Sequence, residues 1–107
     1  MPLRIVYVST LGQRVTEAEL AALVDKAAAF NKNHRITGVL AVEGARVCQI
    51  LEGPDAAVDA LFTSIKRDDR HSGVVELVRH GIDATSFDDW GMVRRGMLDI
   101  VIAAYAA

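Results

Sequence analysis

Residues 4–9, "RIVYVS", are β-rich with no helix former of note, and they predict a buried first strand. The period then changes. Thr16 with Glu19 has the spacing of a helix-opening capping box, and Leu20, Leu23, Val24, Ala27 and Phe30 recur at helical intervals behind it. "NKNHR" ends that helix, and "ITGVLAV", residues 36–42, predicts a second strand. Glu43-Gly44 predicts a hairpin turn into a third strand, "RVCQILEG". Gly53-Pro54 sets a proline at a helix start, where its missing N–H does no harm, and Val58, Leu61, Phe62 and Ile65 mark that helix's inner face. "DDRHSG" reads as a polar connection, "VVELVRHG" as a fourth strand, and "TSFDDWGMVRR" as a loop entering a short fifth strand. The last eleven residues, "MLDIVIAAYAA", are expected to be helical.

The order β-α-β-β-α-β with one more strand predicts an α+β, ferredoxin-like fold. Two right-handed crossovers put both helices on one sheet face. The other face is left for the C-terminal segment or a partner chain.

Composition narrows the class. A chain of 107 residues, 51% apolar, is one folded domain able to bury a core unaided. A net charge of −2 with no basic block gives no support for binding nucleic acid or anionic membrane. The single cysteine, Cys48, excludes an internal disulfide and reads as a packing residue of a reducing compartment. The N-terminus has no signal-peptide pattern, and "MLDIVIAAYAA" is too short to span a bilayer and is broken by Asp99. A cytoplasmic protein is expected.

Against this background one stretch is anomalous. In "VCQILEGP" a glutamine, Gln49, interrupts a run otherwise suited to a buried strand. Burying an unpaired amide costs roughly 1–3 kcal/mol, so either the strand has a wet face or the interior uses the amide. Strand parity puts Tyr7 and Ser9 on one face, and Asn31 continues the inward stripe of the first helix. Parity alone leaves open whether Tyr7, Ser9 and Gln49 face the helices. If they do, they form with Asn31 a neutral donor/acceptor cluster suited to a planar heterocycle. Taken singly, Tyr7, Ser9 and Asn31 are ordinary core or capping residues. No carboxylate, imidazole or thiolate set has metal-ligand spacing, and no phosphate-binding glycine motif or catalytic triad is present. Arg67, Asp68, Asp69, Arg70 and His71 read as a solvated surface run, and His34 and His80 as isolated structural histidines.

The chain resembles the BLUF domains, which sense blue light using FAD. The resemblance is carried by "RIVYVS" with Tyr7 and Ser9, Asn31 five residues before "ITG", "CQILEGP" with Gln49, "RDDRH" after the second helix, and "FDDWGM" with Trp90 and Met92. It implies an isoalloxazine ring between the two helices, with Asn31 at its pyrimidine edge and Gln49 between Tyr7 and the ring. Asp68 aligns with a position that assists at the pyrimidine side, and Ile36 joins the cofactor-binding set. Tyr7 is implied as the photochemical electron donor, while Ser9, Trp90 and Met92 line the neighbourhood of the Gln49 amide. Light then leaves the amide rearranged, by rotation or tautomerisation. The flavin absorption moves slightly red with no net redox change, and the fifth strand passes the signal on. FMN or riboflavin are possible substitutes for FAD.

Two positions depart from the pattern. Phe30 stands where relatives often have a polar residue, and Ser64 where some have Arg or His. Residues 1–96 are expected to form the sensor domain and 97–107 the start of a linker or output helix. A homodimer, or a fused or partner output domain, is the expected context, and any enzymatic effector is expected outside this chain. The rival readings are a ferredoxin-like ligand-binding or assembly domain without photochemistry, and an acylphosphatase-like hydrolase. The second lacks a suitable phosphate loop, since "TLGQRVT" after Ser9 is a poor candidate.

Overall fold

The computed structural model describes residues 2–12, 15–85, 93–97 and 100. Seven elements follow in order: β1 (Pro2–Leu11), α1 (Glu17–Asn33), β2 (Thr37–Glu43), β3 (Arg46–Pro54), α2 (Asp55–Lys66), β4 (His71–Gly81) and β5 (Val93–Arg94). The sheet order is β4-β1-β3-β2-β5. Each neighbouring pair among the first four strands is antiparallel, and β5 runs parallel to β2. This is the ferredoxin-like arrangement expected from the chain order, with the added fifth strand.

Local chemistry fixes the element ends. Thr16 caps α1, its Oγ1 accepting the Glu19 backbone N–H at 3.1 Å, as the capping box predicts. The β2–β3 hairpin closes one residue later than expected: Glu43 pairs with Arg46, and the loop is Gly44-Ala45. Gly44 has φ 60°, and a positive φ at the first loop position is what a tight primed turn requires of glycine. Pro54 ends β3 and caps α2 with φ −55°, so the proline stands at the helix boundary as expected.

The fourth strand begins earlier than the pattern suggests, at His71 instead of Val74. Register shifts between Val6 and Tyr7 and between Val8 and Thr10, with Gly73 at φ 63°, let β4 pass "HSG" along β1 as irregular strand. Bulges of this kind break the two-residue alternation that sequence reading depends on.

The two sheet faces have different cores. Ile5, Tyr7, Leu40, Val47 and Leu51 pack with Ile36 and with Val58 and Phe62 of α2 on the helix side. Val6, Val39, Ala41, Cys48 and Ile50 pack on the other side with Ile100, and Met97 lies against them. The C-terminal segment therefore supplies cover to the face opposite α1 and α2 through Ile100, which is 1% exposed. Arg4 and Glu52, cross-strand partners on β1 and β3, form a buried ion pair at 2.5 Å. β3 lies at the sheet centre and is buried from Val47 to Gly53, which explains its nearly unbroken apolar run.

Candidate functional site

A cavity of about 610 Å³ opens between α1, α2 and the helix-side face of the sheet. Its size falls in the range of small-molecule and cofactor sites. Leu20, Leu23, Val24 and Ala27 wall it from α1, Ala57, Leu61 and Ile65 from α2, and Leu40, Val42 and Val47 from the sheet. The apolar stripe of α1 faces this cavity, so Leu23, Val24 and Ala27 are only half-buried and Leu20 alone of the stripe is buried.

Three polar side chains with little exposure enter the apolar wall. Tyr7, Gln49 and Asn31 all line the cavity, at 3%, 6% and 1% exposure. Tyr7 and Gln49 are direct partners in the β1–β3 register. Opposed residues of antiparallel strands share a face with their Cβ atoms about 5 Å apart, which brings the two polar ends together. The Tyr7 hydroxyl donates a hydrogen bond to Gln49 Oε1. That bond turns the carbonyl end of the amide to Tyr7, so its two N–H donors face other groups. Burial pushes the Tyr7 phenol well above its ordinary range, with negative charge on Cys48 and Asp68 adding to the effect. Tyr7 is therefore a protonated donor at neutral pH.

Asn31 combines two roles left as alternatives by the sequence. Its backbone oxygen accepts the N–H groups of His34 (3.0 Å) and Ile36 (2.8 Å), closing α1, while its side chain lines the cavity. Ser9 shares the helix-side face but is not among the lining residues; it is buried beneath His71 at 2.8 Å from that residue's Nδ1. Ile36 is 1% exposed, belongs to the helix-side core and is likewise absent from the cavity wall. Trp90 and Met92 lie outside the described residues.

The charged run after α2 differs from the solvated surface expected of it. Asp68 and His71 are half-buried and line the cavity together with Arg70. Asp68 pairs with Arg70 in a fork, Oδ2 to Nη2 at 2.6 Å and Oδ1 to Nε at 2.9 Å. The hydrogen-bonded guanidinium holds the Asp68 carboxyl down at about 2. His34 also lines the cavity, with its ring stacked on Phe30 at 4.0 Å. Phe30 and Ser64, the two departures from the family pattern, both reach the cavity. Among these, His71 was missed by pattern reading because it opens an irregular strand inside a run of charges. Among the described residues no group of three or more His, Cys, Asp or Glu side chains could hold a metal ion. Burial also raises the Cys48 thiol, which packs on the face away from the cavity.

A planar ring system with mixed donors and acceptors fits this site. Apolar walls can sandwich its faces, while Asn31, Gln49 and Tyr7 present neutral amides and a hydroxyl to its edge.

Comparison with known proteins agrees with that chemistry. The family model for BLUF, sensors of blue-light using FAD, matches residues 3–93. The photoactivated adenylate cyclase subunit alpha of Euglena gracilis is 35% identical over 77 residues, 72% of this chain and 8% of that protein. The structure of a bacterial light-regulated adenylyl cyclase superposes with a TM-score of 0.86 at 29% identity, covering 97% of this chain and 32% of that one. Klebsiella pneumoniae BlrP1, solved with FMN and cyclic diGMP, gives a TM-score of 0.85 at 32% identity, covering 96% and 30%. The chain thus spans under a third of each of these proteins.

Proposed function

The chain belongs to the BLUF family, sensors of blue light that use FAD, and from that premise we propose that Tyr7 and Gln49 form its light-driven hydrogen-bond switch. The observation carrying this reading is the direct Tyr7–Gln49 pair, hydrogen-bonded and buried in the wall of an apolar cavity.

Bound FAD supplies the light absorption and the excited electron acceptor. Asn31, at the end of α1, would hold the edge of the ring by hydrogen bonding, and Asp68 would assist at the pyrimidine side. Tyr7 gives up an electron and its Oη proton and takes both back, so no net oxidation remains. Gln49, bonded to the Tyr7 hydroxyl, carries an amide that can exchange a donor end for an acceptor end. After one cycle its amide would be left rearranged, and its changed hydrogen bonding toward bound FAD would account for a reversible red shift. Ser9 steadies the Tyr7 end of the strand. Ile36 supports the cofactor from the core behind Asn31.

The route outward runs along one row of the sheet. Tyr7 is opposite Gln49, Gln49 is opposite Leu40, and Leu40 is opposite Arg94 of β5. A shift at Gln49 therefore has a two-strand path to the fifth strand, and Trp90 and Met92, which precede that strand in sequence, are the relay we propose toward the C-terminal segment. Residues 1–96 act as the sensor and 97–107 as the start of the output link. BLUF domains are photosensory modules, and any effector activity lies in a fused domain, a partner or a homodimer outside this chain. FAD is the cofactor; FMN and riboflavin, carrying the same ring, are substitutes that the ring-edge contacts would accept. Among the described residues no helix is long and apolar enough to cross a membrane, and a cytoplasmic sensor is the reading we adopt.

The test is the Gln49→Leu variant loaded with FAD. It is expected to keep the flavin and lose the reversible red shift. A normal photocycle in that variant would remove Gln49 from the switch, and a wild type that binds no flavin would favour a plain ligand-binding domain.

A further inference from the structure

We infer that His71 is a positioning residue of this switch: it holds Ser9 and sets the charge beside Tyr7, so its protonation governs how readily Tyr7 gives up its electron. The inference rests on the reading of Tyr7 as the light-driven donor.

Both ring nitrogens of His71 are engaged within the fold. Nδ1 lies 2.8 Å from Ser9 Oγ, and Nε2 lies 2.7 Å from the Ile65 carbonyl oxygen. A carbonyl oxygen only accepts, so Nε2 carries the hydrogen. In the neutral ring Nδ1 is then the acceptor, and the Ser9 hydroxyl donates to it. Ser9 is buried, two residues from Tyr7 on the same strand face. The imidazole also meets the Tyr7 ring edge-on, with centroids 6.3 Å apart and planes at 75°.

Protonation costs this ring no hydrogen bond. The imidazolium donates from Nδ1 to Ser9 Oγ and keeps the Nε2 bond to Ile65, while the Ser9 hydroxyl hydrogen must turn to another acceptor. Its surroundings are mixed in charge. β1 presents neutral Tyr7 and Ser9, and α2 presents the Ile65 carbonyl with Ser64 beside the cavity. The connection after α2 brings the Asp68 carboxylate, which attracts an imidazolium, and Arg70, whose charge is tied to Asp68. Across the cavity, α1 presents Lys26 and the C-cap residue His34. A positive charge on the ring against Tyr7 opposes removal of an electron from the phenol and shifts the Ser9 bond at the same time. The electron and proton still leave Tyr7 for the excited flavin and return, so His71 alters the ease of the step and not its balance.

The experiment measures the quantum yield of the red shift from about pH 5 to 8, where histidine changes charge, in the FAD-loaded full chain and in His71→Gln. Glutamine offers a neutral amide and cannot become a cation. The wild-type yield is expected to fall on the order of three- to tenfold toward the acid end, while the His71→Gln yield, whatever its level, does not vary with pH. Equal pH profiles, or a flat wild type, overturn the inference and leave the Tyr7–Gln49 switch standing. A wild type with no reversible shift at any pH overturns both. Should His71→Gln fail to retain flavin, nitrogen NMR of the wild-type ring decides. A second proton arriving on Nδ1 in step with the yield supports the inference; a ring that titrates out of step, or never, overturns it.

Discussion

At the residue scale the central feature is an amide and a phenol sharing one hydrogen bond inside an apolar wall. Gln49 could be singled out from the sequence because a buried strand seldom carries an amide. Its pairing with Tyr7 was legible only through the family resemblance, because it depends on the β1–β3 register and no local pattern states it. Ile36, included in the cofactor-binding set, belongs to the helix-side core and is not among the residues lining the cavity. Tyr7→Phe removes only the hydroxyl, so it is expected to keep the flavin and abolish the red shift in a light-minus-dark spectrum. The same variant carries a pH signature. The folded phenol titrates above its ordinary value of 10.0, so its contribution to stability is complete below about pH 10 and is lost as pH rises further. Denaturant midpoints measured at rising alkaline pH should fall less steeply in Tyr7→Phe than in the wild type.

At the element scale, the strongly patterned pieces were legible and the irregular ones were not. The capping box at Thr16 and the apolar stripe of α2 located both helices. β4 was foreshortened in the reading because Gly73 and two register shifts disguised its first three residues as a polar loop. The junction holding Asn31 shows a constraint of another kind. α1 ends with His34 and Ile36 bonded to the Asn31 oxygen, and Arg35 there takes φ 60°, a left-handed conformation usually filled by glycine. β3 packs against this turn at Gly53, where an added Cβ would sit 2.9 Å from the Arg35 backbone oxygen. Gly53→Ala is therefore expected to destabilise the fold by about 1–3 kcal/mol and to weaken flavin retention through Asn31. Urea unfolding together with a flavin-to-protein absorbance ratio checks both effects.

At the scale of the whole molecule, the sheet separates the side of α1 and α2, which holds the cavity, from the opposite side, which meets Met97 and Ile100 of the C-terminal segment. The fold class was legible in the hydrophobic period, and the cofactor was legible through the family resemblance that a handful of spaced polar residues carries. The cavity's charged rim was not, since a run such as "RDDRH" reads as solvent-facing until tertiary packing half-buries two of its members. That rim gives the molecule an acid signature. Asp68 is held at about 2 by Arg70, against an ordinary 3.8, so its stabilising contribution is present above about pH 4 and lost as pH falls through 2. The pair is partly exposed, so the contribution is under about 1 kcal/mol. The stability gap between wild type and Asp68→Asn should accordingly be open at neutral pH and close in acid, as read from denaturant midpoints. A gap independent of pH would assign the loss to packing.

The measurement that reaches the central claim most directly is the absorption spectrum of the FAD-loaded protein in the dark, under blue light, and after return to darkness. The Tyr7–Gln49 switch predicts oxidised flavin bands that move slightly to the red on illumination and return unaided to their starting position. Bands that stay fixed, or bleach without shifting, would contradict it.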